Sequence, residues 1–549
     1  MSWVQRFKGR KRGKHLLRRV SPEKARAVAG PAGLAPIAQG GEKFVLAVLV
    51  SALVAGLLGA SVRLDMREWV ALGVLSAFGM IGFCRYLTLF RRASLESLPR
   101  LFGLAALLVG PLAVLAGYEH MTGATNIAFM PLSFVALVLA IAWSRRLAVE
   151  CTVVLATTIL LYLALRGRID AGTLCALAVA CSGAVTAALS ADNVLRRTSL
   201  IRLGLTIGLV QAAVAGGFLL LGNVLPVSYS PWVMLSALTA SGIIVALLTS
   251  ALLPMIEVLF DVTTGINLLE LGNTHEAPLL RKLLIEAPGT FHHSYVVGLL
   301  AEAAAEAVGG NALLARVGAL YHDIGKLNKP EYFAENSPEA RGRHKGLAPE
   351  MSMLIISSHP RDGVELGRFY GLPREIIDFM PEHHGTSLIE YFYEHAKRLR
   401  GEDAVAEGDF RYPGPKPQRV ETAIVMIADA VEAISRQMPD PSRARLEEMV
   451  HKVGMKRLMD GQFNECPMTL MDLNRIEAAM VRVLGAIYHT RATYPKGKAH
   501  PLDLSQPSQP ESSSQSVLLA APLAAETQQV GTRPPSPLEH ASRIVGGNS

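Results

Sequence analysis

A short, mostly apolar stretch of the 549-residue chain, ALYHDIGKL at residues 319–327, contains three ionisable side chains. They are His322, Asp323 and Lys326, and burying unpaired charge among apolar neighbours is costly. An imidazole, a carboxylate and an ammonium group side by side therefore indicate a site. The first two are suited to bind a metal ion, and the third is suited to bind an anionic substrate.

Further candidate ligands occur near the ends of predicted helices and, for Asp429, inside one. Asp429 lies within the apolar helix AIVMIADAVEAI, where a carboxylate needs a partner and a metal ion is a suitable one. A predicted turn at residues 309–311 would bring a helix that starts near His293 back beside His322. The candidate metal ligands are His293, His322, Asp323, His359, His383, His384 and Asp429.

The mixture of imidazoles and carboxylates suits iron, manganese or zinc and argues against calcium. Seven ligands with one shared carboxylate suit a pair of ions about 3.5–4 Å apart, which lowers the pKa of a bridging water and clamps a phosphoryl centre. Lys326 follows Asp323 by about one helical turn, within reach of a non-bridging phosphate oxygen. The segment DFRYPGPKPQ adds Arg411, Tyr412 and Lys416 as candidate substrate contacts, although a plain Pro-rich linker is an equal alternative.

From residue 254 to about 500 the sequence is typical of a soluble, all-helical domain. Amphipathic segments such as TAIVMIADAVEAIS alternate with turns that contain Gly and Pro. No segment has the alternation of apolar and polar residues that predicts a strand. The candidate ligands must therefore be positioned by helices and the turns between them.

Long apolar runs dominate the first half of the chain, and 50% of all residues are hydrophobic. A membrane span needs about 20 mostly apolar residues. We predict eight spans: Phe44–Val62, Trp69–Leu89, Leu101–Gly117, Ile127–Trp143, Leu147–Leu165, Ala171–Leu189, Leu203–Asn223 and Trp232–Leu253. Their cores contain almost no ionisable residues, which argues against a transport pathway.

The distribution of Lys and Arg predicts that both termini are cytoplasmic. The segment before the first span contains RFKGRKRGKHLLRR, whereas the predicted outer loops YEHMTGATN and GNVLPVSYSP have no Lys or Arg. A basic segment beside a span is typical of contact with anionic lipid. We therefore expect a lipid bilayer as partner and no nucleic-acid polymer.

These patterns predict an all-α fold class and four regions. They are a basic cytoplasmic tail at 1–43, a transmembrane helical domain of about eight spans at 44–253, a cytosolic all-helical domain at 254–500 and a disordered tail at 501–549. The last region contains LSQPSQPESSSQS and cannot bury enough apolar surface to fold alone. The sequence leaves homo-oligomer formation open.

Seven segments, in order, carry a resemblance to a known family: HHSYVVGLLAE, YHDIGKL, SSHPRDGVELGRFYGLP, EHHGTSLIEYFYEHA, DFRYPGPKPQ, AIVMIADAVEAISR and DGQFNECPMTLMDL. Together they resemble the HD-domain (HDIG) metal-dependent phosphohydrolases. They are most similar to the seven-transmembrane-HD branch, whose members hydrolyse cyclic di-AMP to the linear dinucleotide pApA. The resemblance implies a signalling phosphodiesterase of the bacterial inner membrane that uses a metal-bridged hydroxide, with the HD domain in the cytoplasm.

The resemblance also divides the ligands between two ions, iron or manganese. His293 is preferred to the adjacent His292 because the family pattern places this ligand directly before Ser294. One ion would bind His293, His322, Asp323 and Asp429, and the other, bridged by Asp323, would bind His359, His383 and His384. The implied catalytic residues are Asp323 and Lys326, and the candidate substrate contacts are Lys326, Arg411, Tyr412 and Lys416.

The chain departs from the family after the first predicted span. Relatives have a large extracellular domain there, whereas here the loop at residues 62–68 is only a few residues long. The resemblance therefore does not extend to an extracellular ligand sensor. A signal would have to enter through the spans or a partner protein.

Three other functions remain as alternatives. Cyclic di-GMP hydrolysis belongs to an HD subgroup with a GYP signature after its HH pair, which EHHGTSLIEYF lacks. Hydrolysis of (p)ppGpp or another nucleotide generally needs only His, His-Asp and Asp, so His359, His383 and His384 would be unexplained. A non-catalytic nucleotide-binding signalling module would be expected to have lost ligands, and none is missing.

Overall fold

A computed structural model of the chain describes residues 48–59, 65–90, 98–122, 131–191, 194–222, 230–439 and 441–489. The predicted basic tail at 1–43 and the predicted disordered tail at 501–549 lie outside these residues. Within them the secondary structure is helical, with one isolated bridge between Leu388 and Arg411 and no strand. The prediction of an all-α fold is confirmed.

Within the described ranges the membrane half has eight apolar helices: α1 (Val48–Gly59), α2 (Met66–Phe90), α3 (Leu98–Thr122), α4 (Leu132–Ala142), α5 (Arg145–Leu165), α6 (Ala171–Ser190), α7 (Arg197–Leu220) and α8 (Pro231–Phe260). Among the described residues, six helices are long and apolar enough to cross a membrane, namely α2, α3 and α5 to α8. The chain is therefore a membrane protein. Because α1 and α4 are shorter and lie next to residues outside the described ranges, the number of eight spans stays a prediction.

The C-terminal half folds into a helical domain. Its α-helices are α9 (Gly265–Gly272), α10 (Pro278–Glu286), α11 (Pro288–Val308), α12 (Ala312–Tyr321), α13 (Ala340–Lys345), α14 (Pro349–Phe369), α15 (Arg374–Ile377), α16 (Phe379–Glu382), α17 (Glu390–Arg400), α18 (Val420–Ser435), α19 (Arg443–Met459) and α20 (Leu470–His489). A short 3-10 helix, Ile324–Asn328, directly follows His322 and Asp323.

Helices α11 and α12 form the predicted hairpin. Gly309 ends α11 in the left-handed conformation, with φ of 74° that a residue with a side chain rarely adopts. Asn311 then caps α12, because its side-chain oxygen accepts a hydrogen bond of 3.0 Å from the backbone N–H of Leu314. The hairpin brings the rings of His293 and His322 to a centroid separation of 5.4 Å, so this prediction is confirmed.

The core of this domain lies between the helices that carry the candidate ligands. Apolar side chains of α11, α12, α18 and α20, such as Leu300, Val317, Ile427 and Ile476, are fully or almost fully buried. Each side chain of this size contributes about 1.5–3 kcal/mol when it is removed from water. The packed core therefore fixes the relative positions of the ligand-bearing helices.

The 3-10 helix packs closely against α14. A Cβ atom at Gly325 would lie 1.9 Å from the carbonyl oxygen of His359, so only glycine fits at this position. The contact holds the segment that follows Asp323 against the helix that carries His359. Two candidate ligands distant in sequence are thus fixed next to each other by a backbone contact.

The membrane half connects to the helical domain through α8 and α9. Asp261 ends α8 with φ of 52°, and α9 begins soon after, at Gly265. The hydroxyl of Tyr321, at the end of α12, donates a hydrogen bond of 2.8 Å to the carbonyl oxygen of Leu271 in α9. The first helix after the membrane half therefore packs next to His322 and Asp323.

Candidate metal centre

The structure brings the seven predicted metal ligands together in one largely buried cluster. His293 comes from α11, His322 and Asp323 follow α12, His359 comes from α14, His383 and His384 follow α16, and Asp429 comes from α18. Their ligand atoms form two groups, each with separations within 4.8 Å: Asp323, His359, His383 and His384 in one, and His293, His322 and Asp429 in the other. Each group has enough donors to hold one metal ion.

Asp323 lies between the two groups and presents one carboxylate oxygen to each. Its Oδ1 is 3.2 Å from Nε2 of His359 and 3.6 Å from Nε2 of His383. Its Oδ2 is 3.2 Å from Nε2 of His322 and 3.6 Å from Nε2 of His293. This arrangement suits the bridging role that the sequence predicts for Asp323.

The backbone holds three imidazoles in the orientation that a metal ligand needs. Nδ1 of His322, His359 and His383 lies 2.6, 2.7 and 3.0 Å, respectively, from a carbonyl oxygen three or four residues earlier. Since a carbonyl oxygen only accepts, each Nδ1 carries a proton and donates it. With Nδ1 occupied in this way, Nε2 of each ring is the atom that faces the cluster and can bind a metal ion.

These nitrogen atoms indicate that a cation belongs in the cluster. Nε2 of His359 and Nε2 of His383 are 3.4 Å apart, and two lone pairs at that distance repel unless a cation lies between them. Among the described residues, Nε2 of His322 and Oδ1 of Asp323 are buried without a hydrogen-bond partner of suitable geometry, and Oδ2 of Asp323 forms an ion pair of 2.6 Å with Lys326 Nζ. Imidazole nitrogens and carboxylate oxygens of this kind bind a divalent ion through their lone pairs. The residues present therefore fit the metal ions that HD domains bind.

The electrostatics of the group that contains His383 and His384 favour metal binding. Burial and neighbouring imidazoles lower the pKa of His383 to about 3 and hold the pKa of His384 well below its usual range. For Asp323, burial opposes ionisation, but His322 and Lys326 outweigh it and hold the pKa of the carboxyl well below its usual range. Neutral imidazoles and an ionised carboxylate are the protonation states that bind metal.

Glu432, which the sequence analysis did not single out, orients His293. Its Oε2 is 2.5 Å from Nδ1 of His293, while Nε2 of the same ring faces Asp429 Oδ1 at 3.1 Å. Burial opposes protonation of His293, but Asp429 and Glu432 outweigh it and raise the pKa of the ring to about 10. Glu432 follows Asp429 by three residues, one turn along the same helix, and that spacing is the signal that could have identified it.

Lys326 lies at the cluster but is already paired. Its Nζ is 2.6 Å from Oδ2 of Asp323 and 2.7 Å from Oε1 of Glu335, and 5.0 Å from the centre of the Phe333 ring. Burial opposes its charge, but the two carboxylates outweigh burial and raise the pKa of Lys326. The ammonium group therefore stays charged, and its catalytic role stays a prediction. Glu335 was missed because nothing in its local sequence connects it with Lys326.

The predicted substrate contacts at residues 411–416 differ in their surroundings. Tyr412 is buried, and its ring stacks on His384 with centroids 4.2 Å apart. Arg411 donates two hydrogen bonds, of 2.8 and 3.2 Å, to Asp460, and Lys416 donates one of 2.9 Å to the carbonyl oxygen of Gly461. Tyr412 thus lines the cluster, whereas Arg411 and Lys416 hold the segment against residues 460–461. The role of all three in substrate binding stays a prediction.

Two families match this chain over separate regions. Residues 290–434 match the family described as HD domain. Residues 66–264 match the family described as 7TM receptor with intracellular HD hydrolase. The first region contains all seven candidate ligands, and the second contains the seven apolar helices α2 to α8.

Two curated relatives are each similar to more than half of the chain. The chain is 42% identical over 300 residues to cyclic-di-AMP phosphodiesterase PgpH of Bacillus subtilis, a match that covers 55% of this chain and 42% of the relative. It is 37% identical over 374 residues to cyclic-di-AMP phosphodiesterase PgpH of Listeria monocytogenes, which covers 68% of this chain and 51% of the relative. The chain thus spans about half the length of the curated relatives it matches.

A solved structure is also similar to part of the chain. It is the crystal structure of the L. monocytogenes phosphodiesterase PgpH HD domain in complex with cyclic-di-AMP. The sequences are 46% identical, the match covers 40% of this chain and 100% of that chain, and the TM-score is 0.37.

The helical domain and its cluster of histidines and aspartates define an HD domain attached to a helical membrane region. Residues 66–264 belong to the family described as 7TM receptor with intracellular HD hydrolase, and residues 290–434 belong to the HD-domain family, as the resemblance in the motifs predicted.

Proposed function

We propose that the chain is a membrane-anchored, metal-dependent phosphodiesterase that hydrolyses a cyclic dinucleotide, with cyclic di-AMP as substrate and pApA as product. The observation that carries this proposal is the carboxylate of Asp323, which presents one oxygen to each of two ligand groups. A shared carboxylate between two metal sites suits the chemistry of phosphate esters. The choice of cyclic di-AMP rests on the two PgpH relatives, which are named for that activity.

The cofactors in this proposal are two divalent ions, iron or manganese. Imidazoles together with carboxylates suit either metal. When bound, such a pair supplies an activated water molecule and positive charge beside the phosphate. The ligands would be divided as the two groups in the structure are, with Asp323 common to both.

The protein's own residues would hold the reacting groups in place. The reaction joins the oxygen of water to phosphorus, breaks the bond from phosphorus to the 3′ oxygen, and leaves the proton of the water on that oxygen. Lys326 keeps its positive charge and would neutralise a non-bridging phosphate oxygen as charge develops. Tyr412, stacked on His384, would contact the nucleotide, and Arg411 and Lys416 are further proposed contacts.

We also propose that the HD domain and both termini are cytoplasmic, at the inner membrane of a bacterium. The family description calls the HD hydrolase intracellular, and both named PgpH relatives are bacterial. Helix α1 precedes the seven apolar helices of the matched region, and eight crossings would return the chain to its starting side. The basic segment before the first predicted span and the lack of Lys and Arg in the predicted outer loops YEHMTGATN and GNVLPVSYSP agree with this orientation.

The alternatives are less well supported by the same site. A (p)ppGpp hydrolase or another nucleotide hydrolase would not need His359, His383 and His384, which form one ligand group with Asp323. A non-catalytic module would not need to preserve every ligand. Cyclic di-GMP shares the phosphodiester chemistry with cyclic di-AMP, so experiment must distinguish these two substrates.

The direct test uses the full chain in detergent, loaded with Mn²⁺ or Fe²⁺ and given equal amounts of cyclic di-AMP and cyclic di-GMP. Both substrates and their products are followed by chromatography, with the Asp323→Asn variant as the control for contaminating activity. We expect cyclic di-AMP to disappear and pApA to form. Loss of cyclic di-GMP alone would overturn the substrate, and survival of both with metal bound would overturn the enzymatic proposal.

A further inference from the structure

One carboxylate, Glu375, joins the membrane half of the chain to the metal-binding domain. Its Oε1 is 2.8 Å from Nη2 of Arg100 in α3 and 3.7 Å from Nη1 of Arg419. The side chains of Arg100 and Glu375 are only 9% and 16% exposed. Because water screens such a pair poorly, its two charges constrain each other more strongly than a surface pair would.

Arg100 also binds a second membrane helix. Its Nε donates a hydrogen bond of 2.9 Å to the carbonyl oxygen of Asp261, the residue that caps the C-terminal end of α8. The guanidinium group therefore contacts the end of α8 and Glu375 from its own position in the first turn of α3. Any displacement of α3 relative to α8 would act on Glu375.

Glu375 lies where two ligand-bearing segments of the metal centre meet. It belongs to α15, which is followed by α16 and then by His383 and His384. Arg419 directly precedes α18, the helix that carries Asp429. Nδ1 of His384 and Oδ2 of Asp429 lie 3.7 Å apart, one from each segment.

A neighbouring carboxylate joins the same two segments without the membrane half. Oε2 of Glu382, at the end of α16, accepts hydrogen bonds of 2.7 Å from Oγ1 of Thr422 and 3.0 Å from the backbone N–H of Gln418. Glu382 thus already links the two segments by hydrogen bonds. Glu375 adds a second link between them, and Arg100 also takes part in this one.

We infer that Arg100 and Glu375 are positioning residues of the metal centre, through which helices α3 and α8 set the separation of His384 and Asp429. The inference rests on the metal site of the proposed function and adds a membrane-domain residue to it. A change in the packing of α3 against α8 would alter how firmly the centre holds its metal. The membrane half would in this way control the HD domain without touching substrate.

The test measures how fast a coloured chelator removes Mn²⁺ from the full chain in lipid nanodiscs. We compare Arg100→Gln, Glu375→Gln and the double variant with the matched control Glu448→Gln, whose exposed carboxylate pairs with Lys452 in the same domain. Each single variant should release metal about tenfold faster than the unaltered chain, as disturbed support of metal ligands does. The double variant should be no faster than either single variant, because the two residues act as one unit, and the control should be unchanged.

Release at the unaltered rate in both single variants, or additive effects in the double variant, would overturn the inference. If the Gln variants do not fold, Arg100→Lys provides the test. This variant keeps the positive charge, so it should release metal within about twofold of the unaltered rate. A tenfold increase in the release rate would again overturn the inference. The release rate needs no substrate. Failure of the chain to hydrolyse cyclic di-AMP would therefore overturn the proposed function, whereas the role of Arg100 and Glu375 is judged separately from the release rate.

Discussion

At the scale of single residues, the types and order of the candidate ligands predicted a cluster of His and Asp side chains, and the structure brings these side chains together. His322, Asp323 and Asp429 are polar residues in apolar surroundings, and such residues need a partner wherever the chain folds. Glu432 and Glu335 were not singled out from the sequence. Glu432 contacts His293, 139 residues away, and Glu335 contacts Lys326, nine residues away, and the folded structure shows both contacts.

The contact between Glu432 and His293 predicts a specific loss of metal affinity. Glu432→Gln removes the negative charge that accepts the Nδ1 proton of His293, so the ring becomes a weaker and less firmly oriented ligand. We expect metal affinity to fall by roughly 10–100-fold. A competition titration with a chelator measures this, and Glu448→Gln serves as control. Unchanged affinity in Glu432→Gln would contradict the role assigned to Glu432.

The position of Asp323 between the two ligand groups predicts a larger effect. Asp323→Asn keeps the size of the side chain but removes the charge that both groups share, so turnover of phosphodiester substrates should be abolished. Circular dichroism should show the helicity of the unaltered chain. Activity equal to that of the unaltered chain would rule out a centre bridged by Asp323.

At the scale of helices, periodicity and turn residues predicted the all-α fold and the hairpin of α11 and α12. The predicted span limits differ by several residues from the helices observed, since apolar runs mark the membrane core and not the helix ends. The close contact of the 3-10 helix with α14 was not predictable. Nothing in the sequence around Gly325 shows that the backbone of His359 passes beside it.

That contact predicts that Gly325→Ala displaces a metal ligand. The added methyl group would overlap the carbonyl oxygen of His359, and overpacking of this kind destabilises a protein by roughly 1–3 kcal/mol. We expect a lower midpoint of thermal unfolding and less bound metal. Gly408→Ala is the matched control, because a Cβ atom there meets no atom within 4 Å. Equal behaviour of the two variants would contradict the packing seen in the structure.

At the scale of the whole molecule, a helical membrane region and an HD domain lie in one chain with a short connection between α1 and α2. Arg100, Glu375 and Arg419 link the two halves through charge, and none of these contacts was foreseen because their partners lie far apart in sequence. The sequence offered Arg411 as a substrate contact but did not indicate its ion pairs with Asp460 and Glu407. Its contact with substrate stays a prediction.

The proposed orientation predicts the result of a topology experiment in bacterial cells. The two reporters are a fluorescent protein, which is active in the cytoplasm, and alkaline phosphatase, which is active outside the inner membrane. After residue 489 only the fluorescent protein should be active. Between α7 and α8 only alkaline phosphatase should be active. The reverse pattern would contradict the assignment of the HD domain to the cytoplasm.

The most direct measurement for the central claim is the rate of cyclic di-AMP hydrolysis against the number of metal ions bound per chain. The full chain is stripped of metal, reloaded stepwise with Mn²⁺ and assayed at each step, with bound metal determined by mass spectrometry. Two ligand groups that share Asp323 predict that turnover rises to its full value only as a second ion binds. Full turnover in the metal-free chain, or with one ion per chain, would contradict a two-metal phosphodiesterase.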